Sequence, residues 1–149
     1  MLESLIRQHI DHHPDLKRQD VLLQSIPGIG PTTSAHLLAA RLTTFDSAGA
    51  VAALAGLNPA IRQSGLLKGQ TRLSKLGDAA LRKVLYFPAV SAIRFNPIVA
   101  ALAQRLAGRG KSSMAIVGAA MHKLIRLAFG VLKSGLPFDP NYSRRTQAT

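Results

Sequence analysis

The sequence contains no cysteine, and aromatic residues make up only 5% of it although 47% of its residues are hydrophobic. The absence of cysteine excludes disulfides, zinc–thiolate sites and cysteine nucleophiles. With so few aromatic residues, the core must consist of alanine, leucine, isoleucine and valine, which is typical of packed helices rather than of a β-sandwich. A chain of 149 residues is long enough for one domain with a buried core.

Acidic residues are scarce. The chain has seven Asp and Glu and nineteen Lys and Arg, which gives a formal charge of +12. A nuclease that uses two metal ions needs clustered carboxylates. The acids here are scattered along the chain: Glu3, Asp11, Asp15, Asp20, Asp46, Asp78 and Asp139. We therefore expect no metal site and no cofactor in this chain. The excess of positive charge indicates a polyanionic partner and favours nucleic acid.

The sequence also lacks a long uninterrupted apolar run. The best candidate for a membrane span, residues 113–132, is broken by His122, Lys123 and Arg126. The N-terminus does not show the basic-then-apolar order of a signal peptide. The basic residues are spread over several segments instead of one amphipathic helix. These features predict a cytoplasmic, nucleoid-associated protein that does not bind membranes.

Apolar residues recur at helical spacing through most of the chain and predict an all-α fold in a single compact domain. Proline and glycine mark the ends of the predicted segments, and Pro88 should kink or interrupt one of them. Asp46 or Ser47, Asp78 and Ser112 are the predicted N-caps. The predicted helices cover residues 2–12, 16–26, 31–40, 48–56, 79–95, 97–106 and 114–133.

His9, His12 and His13 stand at intervals at which residues share a helix face, so they could be read as metal ligands. No pair of carboxylates stands nearby in the sequence to complete such a site. We favour the simpler interpretation, that they are exposed polar residues at a helix end.

A Pro-Gly-Ile-Gly-Pro segment at residues 27–31 lies between two helical patterns, which is the signature of a helix-hairpin-helix. Glycine permits the positive φ angle of a tight turn, and Pro31 suits the first turn of the next helix. The unpaired N–H groups of such a hairpin can hold a phosphate without a charged side chain. A plain hairpin of two helices is the alternative. The predicted DNA contacts here are Gly28, Ile29, Gly30 and Thr32.

A segment rich in glycine and basic residues follows at 62–77 and has no clear period, so we predict a long central loop. The pattern leaves room for a short β-hairpin within residues 60–75. With Arg82 and Lys83, six basic residues lie between positions 62 and 83, against one acid. The predicted phosphate contacts are Arg62, Lys68, Arg72, Lys75, Arg82 and Lys83. Ser64 lies among these cations, which would stabilise charge on a phosphate under attack, although a loop that merely binds phosphate remains an alternative.

Several segments resemble the C-terminal domain of the IS-110/IS-116/IS-902 family of insertion-element transposases, in order and from about residue 20 to 140. They are residues 22–34, residues 53–59, Arg62-Gln63-Ser64-Gly65, residues 72–77 with Leu81-Arg82, residues 122–135, and Pro137-Phe138-Asp139.

The resemblance implies a recombinase made of a RuvC-like domain that binds Mg²⁺ and a helical domain that carries a serine, which falls on Ser64 here. It also implies that a bridge-type guide RNA directs the reaction and that the full-length protein forms homo-oligomers. No segment of this sequence resembles the RuvC-like domain, so Mg²⁺ is implied only for that missing part. We therefore expect the chain to be inactive as a transposase alone.

The sequence thus predicts the end of a helical linker at residues 1–15, a DNA-binding domain at 16–140 and a loose tail at 141–149. Two other interpretations stay open. One is a non-catalytic basic module that binds DNA or structured RNA. The other is a helical module for protein interactions, whose charge only keeps it soluble.

Overall fold

The structure, a computed structural model, describes the backbone of residues 2–54 and 68–141 and the side chains of residues 4–51 and 80–141. The described residues form seven α-helices and one short 3₁₀ helix, without a strand, and the predicted all-α class is confirmed. The helices are α1 (Leu2–Asp11), α2 (Pro14–Gln24), α3 (Pro31–Ala39), the 3₁₀ helix Leu42–Thr44, α4 (Ala48–Leu54), α5 (Lys68–Phe95), α6 (Pro97–Gly108) and α7 (Ser113–Ser134).

Helix α7 lies at the centre of the domain and packs against α2, α4, α5 and α6. One of its faces is buried in a core of aliphatic side chains, as the scarcity of aromatic residues predicts. By length and composition alone α7 could cross a bilayer. Core helices share this composition, and the buried residues of α7 are Ala120, Met121, Leu124, Ile125, Ala128 and Val131.

The first three helices are joined by a buried polar contact. The Asp20 carboxylate of α2 accepts hydrogen bonds from Arg7 of α1 at 2.8 and 3.0 Å and from the Ser34 hydroxyl of α3 at 2.6 Å. Arg7 also donates to the carbonyl oxygen of Pro31 at 2.6 Å. Ile10 of α1 is buried as well. Helix α1, which the sequence assigns to a linker, therefore packs as part of the domain.

The predicted central loop is wrong from Lys68 onward, because α5 begins there and runs through Gly69, Gly77 and Asp78. A β-hairpin is accordingly excluded for residues 68–75, and Asp78 lies inside the helix instead of capping it. A glycine inside a helix costs only about 1 kcal/mol relative to alanine. Two glycines therefore do not stop a helix that continues into a buried segment. Residues 60–67 lie outside the described residues.

Pro88 does not interrupt α5, which continues to Phe95. The direction of the chain changes instead at Asn96, where α5 and α6 meet at 88°. The Asn96 side chain caps α6 by accepting hydrogen bonds from the N–H groups of Ile98 and Val99. The predicted caps Ser47 and Ser112 are confirmed, since each hydroxyl accepts a hydrogen bond from the N–H group three residues later.

Candidate nucleic-acid interface

Positive charge is distributed unevenly along the chain. Residues 1–40 contain three basic and four acidic residues, whereas residues 41–149 contain sixteen basic and three acidic ones. The three cations of the first part all take part in ion pairs, Arg7–Asp20, Lys17–Asp11 and Arg18–Asp15. The excess charge that could attract a polyanion therefore belongs to the part of the chain that follows α3.

Helix α5 presents an exposed row of basic and aromatic side chains. Lys83, Phe87, Val90 and Arg94 are exposed and follow one another at intervals of four, three and four residues, which places them on one side of a helix. Arg82 and Tyr86 lie beside them, and we call the six residues the α5 outer stripe. Phe87 is 77% exposed, which is unusual for a phenylalanine.

Within the outer stripe, two rings and two cations lie together. The Tyr86 and Phe87 rings meet edge to face with their centroids 5.4 Å apart. Arg82 and Lys83 line a shallow groove with both rings and with Met121 of α7. Cations bind the phosphate backbone, and exposed rings are surfaces on which bases stack. The groove therefore has the chemistry of a nucleic-acid contact.

The predicted basic residues further upstream belong to the same helix. Positions 68, 72, 75 and 82 of α5 are basic and are separated by four, three and seven residues, the spacing of one helix side. The side chains of Lys68, Arg72 and Lys75 are not among those described. Ser64 and Arg62 lie outside the described residues altogether. The structure thus places five of the six predicted basic contacts on one helix, and three of them, Lys68, Arg72 and Lys75, lie in the segment predicted as a loop.

The predicted hairpin at 27–31 lies on the other side of α5. Gly28 has a φ of +110°, as predicted, and a Cβ atom there would lie 2.9 Å from the Cβ of Ala92 and 3.0 Å from the carbonyl oxygen of Pro88. Ala92 and Pro88 belong to the buried side of α5, opposite the outer stripe. One side of the hairpin turn therefore packs against α5, and the contact of the hairpin with DNA stays a prediction.

The remaining hairpin residues differ in what they expose. The Ile29 side chain is buried, and its N–H donates to the carbonyl oxygen of Ile26 at 3.0 Å. Gly30 has an extended backbone with φ −99° and forms the N-cap of α3, so the positive φ of the motif occurs only at Gly28. Thr32 is exposed in the first turn of α3. The structure does not bring these four residues into one site with Arg82 and Lys83.

A second group of cations lies on α6 and α7 and was not predicted. Burial, followed by the nearby charges of Arg126 and Arg105, lowers the pKa of Lys123. Burial, followed by Arg126 and Lys123, likewise lowers the pKa of His122. The signal in the sequence is the pair Lys123 and Arg126, three residues apart in an otherwise apolar helix. In the sequence these residues stand out only as interruptions of a possible membrane span and as part of the family resemblance.

The histidines at the end of α1 and just after it, His9, His12 and His13, interact with each other and with the backbone. The rings of His9 and His13 lie 4.1 Å apart, and Nδ1 of His12 and of His13 each lies 2.7 Å from a carbonyl oxygen one turn earlier. Among the side chains of residues 4–51 and 80–141, no three of His, Asp or Glu are grouped so that they could hold a metal ion. The resemblance assigns Mg²⁺ to the RuvC-like domain, and these side chains do not form a set of ligands for it.

Residues 20–104 match the model of the transposase IS116/IS110/IS902 family, which is more than half of the chain. The chain belongs to this transposase family. The matched region begins at Asp20 and includes the hairpin, all of α5 and most of α6.

The similarity to relatives from this family extends over nearly the whole chain. The chain is 36% identical to the pilin gene-inverting protein of Moraxella bovis over 143 residues, which is 93% of this chain and 44% of that protein. It is 27% identical to the insertion element IS900 uncharacterized 42 kDa protein of Mycobacterium paratuberculosis, over 94% of this chain and 34% of that protein. The chain therefore spans less than half the length of these family members.

Proposed function

We propose that the chain is the DNA-binding, serine-bearing part of a transposase or site-specific recombinase. The observation that carries this proposal is the α5 outer stripe, a row of exposed cations and aromatic rings in a chain of this family. The name of the Moraxella bovis relative supports it, because the inversion of a gene requires DNA strands to be cut and rejoined. DNA is the expected partner, and the cytoplasm is the expected place of action.

In this proposal the DNA backbone follows α5, and its phosphates contact Arg82, Lys83 and the basic positions one or more turns upstream. Counterions released from the DNA would supply much of the affinity. Tyr86 and Phe87 offer stacking surfaces for bases that are not paired. The hairpin at residues 27–31 acts mainly as a support, because it packs on the buried side of α5.

Ser64 is the proposed nucleophile, and it stands four residues before the first residue of α5. The partial positive charge of a helix N-terminus and the cations of α5 favour a phosphate there. The serine oxygen forms a bond to phosphorus, the bond from phosphorus to a deoxyribose oxygen breaks, and that oxygen takes up a proton.

The test uses a suicide DNA substrate that traps a covalent intermediate, with the metal-binding domain supplied as a separate protein. We expect a protein–DNA adduct with the wild-type chain and none with Ser64→Ala, while the affinity for DNA changes less than twofold. Ser74→Ala is the matched control, since it removes a hydroxyl from the same region, and it should retain the adduct. An adduct that survives in Ser64→Ala would rule out this nucleophile.

A non-catalytic module that binds DNA or structured RNA is the second candidate, and the chemistry of the outer stripe favours it equally. It predicts binding that depends steeply on salt and no adduct under any condition, even with the metal-binding domain present. A guide RNA, a RuvC-like domain and formation of homo-oligomers belong to the full-length protein in the first proposal. Loss of all nucleic-acid binding at low salt would contradict both candidates.

A further inference from the structure

We propose that a pocket between α4, α6 and the second half of α7 binds a single nucleotide unit of the nucleic acid. Its phosphate would contact Lys123 and Arg126, and its sugar or base would lie against the rings of Phe129 and Phe138. The ligand class rests on the proposed function, whereas the pocket itself is a separate site, on helices other than the one that carries the outer stripe.

The pocket has a volume of about 340 Å³ and is lined by residues from four segments. Ala48 begins α4, Ile98 belongs to α6, α7 contributes both cations, and residues 136–139 close one side. Known small-molecule sites begin at about 300 Å³. A pocket of this size admits one nucleotide but not a duplex, so the unit must come from a strand end or be turned out of the stack.

Two cations, Lys123 and Arg126, and one carboxylate, Asp139, line the pocket, so its lining carries a net positive charge. Lys123 is half-buried and has the like charges of Arg126 and Arg105 near it, which lowers the pKa of its ammonium group. All three ion pairs between described side chains lie in α1 and α2. Asp139 is the one carboxylate that lines the pocket, and it accepts a hydrogen bond from the N–H of Asn141 at 2.9 Å. A bound phosphate would relieve the repulsion between the cations.

The apolar side of the pocket is held in place by the core. Phe129 and Phe138 are partly buried and pack against the main hydrophobic cluster. The N–H of Phe138 donates to the Ser25 hydroxyl at 2.8 Å, which ties the segment after α7 to α2. The ammonium group of Lys133 lies 5.5 Å from the centre of the Phe129 ring. The rings are thus positioned before any ligand arrives, which reduces the entropy that binding costs.

The first experiment compares three ligands by NMR with the whole 149-residue chain: a deoxynucleoside monophosphate, the same deoxynucleoside and inorganic phosphate. We expect the monophosphate to shift the ring resonances of Phe129 and Phe138 at concentrations at least tenfold lower than either part alone. If inorganic phosphate is as effective as the monophosphate, or if these rings do not respond, the nucleotide site is refuted.

The second experiment tests the cations. Lys123→Gln and Arg126→Gln should each weaken binding of the monophosphate about tenfold. Arg109→Gln removes the same charge from the exposed turn after α6, outside the pocket, and should leave binding within twofold. An equal loss in all three variants would show that general attraction, rather than this pocket, holds the nucleotide, and would overturn the proposal.

A third experiment separates this proposal from the proposed function. Changing Arg82 and Lys83 to glutamine should weaken binding of duplex DNA while binding of the monophosphate stays unchanged. If the chain binds no DNA but the Phe129 and Phe138 rings still respond to the monophosphate, the proposed function fails and the pocket stands. If Lys123→Gln affects neither ligand while the α5 variants weaken DNA binding, the pocket fails and the proposed function stands.

Discussion

Asp20 is the residue on which the first three helices depend. Its burial opposes ionisation, but hydrogen bonds from Arg7, Ser34 and Gln24 prevail and lower the pKa of the carboxyl group from 3.8 to about 2. Removing this carboxylate would leave the half-buried Arg7 guanidinium without its ion-pair partner and the buried Ser34 hydroxyl without its acceptor. We expect Asp20→Ala to lower the free energy of unfolding by about 3 kcal/mol, as measured by urea denaturation.

The matched control for Asp20 is Asp15→Ala, which breaks the exposed ion pair with Arg18 and should cost less than about 1 kcal/mol. The effect of Asp20 also depends on pH. Because its folded pKa is depressed, its contribution is complete above the unfolded value of 3.8 and is lost as the pH falls toward 2. Equal melting temperatures of wild type and Asp20→Ala at pH 7 would contradict this role.

Gly28 tests the structural interpretation of the hairpin. Alanine at this position would adopt a positive φ and place its Cβ 2.9 Å from that of Ala92. The backbone conformation and the overpacking each cost about 1–2 kcal/mol. We therefore expect Gly28→Ala to reduce the stability of the domain by about 3 kcal/mol, in thermal or chemical denaturation.

Gly30→Ser is the control within the same motif. A Cβ at Gly30 would meet nothing within 4 Å, and serine is a good N-cap, so the stability should change by less than about 0.5 kcal/mol. If instead both variants stay fully stable and both lose affinity for DNA, the hairpin contacts DNA directly and our assignment of it as a support is wrong.

The junction of α5 and α6 shows how a single side chain fixes the angle between two elements. Asn96 is fully buried, accepts hydrogen bonds from two N–H groups of α6 and donates to the carbonyl oxygen of Pro27 at 3.1 Å. It thereby joins the helix junction to the hairpin, 69 residues away in sequence.

Asn96→Ala removes a cap and leaves the carbonyl group of Pro27 without this donor. We expect a loss of about 2–3 kcal/mol in the free energy of unfolding, since a missing cap costs about 1 kcal/mol and an unsatisfied buried acceptor a further 1–2. Ser112→Ala, which removes an exposed cap from α7, should cost only about 1 kcal/mol. Equal losses would mean that the contact with Pro27 contributes nothing.

The charge of the molecule is distributed unevenly along the chain. The cations of α1 and α2 are paired with carboxylates, and basic residues are in excess after α3. We expect the affinity for DNA to fall steeply with salt, measured by fluorescence anisotropy. Changing Arg82 and Lys83 to glutamine should reduce the slope of log affinity against log salt by about two, one for each phosphate contact that is lost.

The control for this prediction is the pair Lys17→Gln and Arg18→Gln, which removes the same charge from α2, where both cations already face carboxylates. Its salt slope should match that of the wild type. Equal changes for the two double variants would mean that net charge alone, and not the surface of α5, determines binding.

Much of the local structure could be predicted from the sequence because it depends on residues within one or two helical turns of each other. The aliphatic composition and its helical spacing predicted the all-α class. The caps Ser47 and Ser112 and the turn at Gly28 followed from the preferences of single residues. The motif residues also predicted the family, which the match over residues 20–104 confirms. The roles of Ser64 and of the basic residues remain predictions.

The errors arose where contacts between distant residues decide the outcome. Gly69 and Gly77 favour a turn locally, but in the structure they lie inside a long helix. One side of the later part of this helix is buried. The sequence predicted the turn at Gly28 but not that Ala92 and Pro88 of α5 pack against it, and the contact of the hairpin with DNA stays a prediction. Lys123 and Phe138 meet in one pocket only because the chain folds back after α7. Helical periodicity specifies the side of a helix on which a residue stands, but not what lies opposite that side.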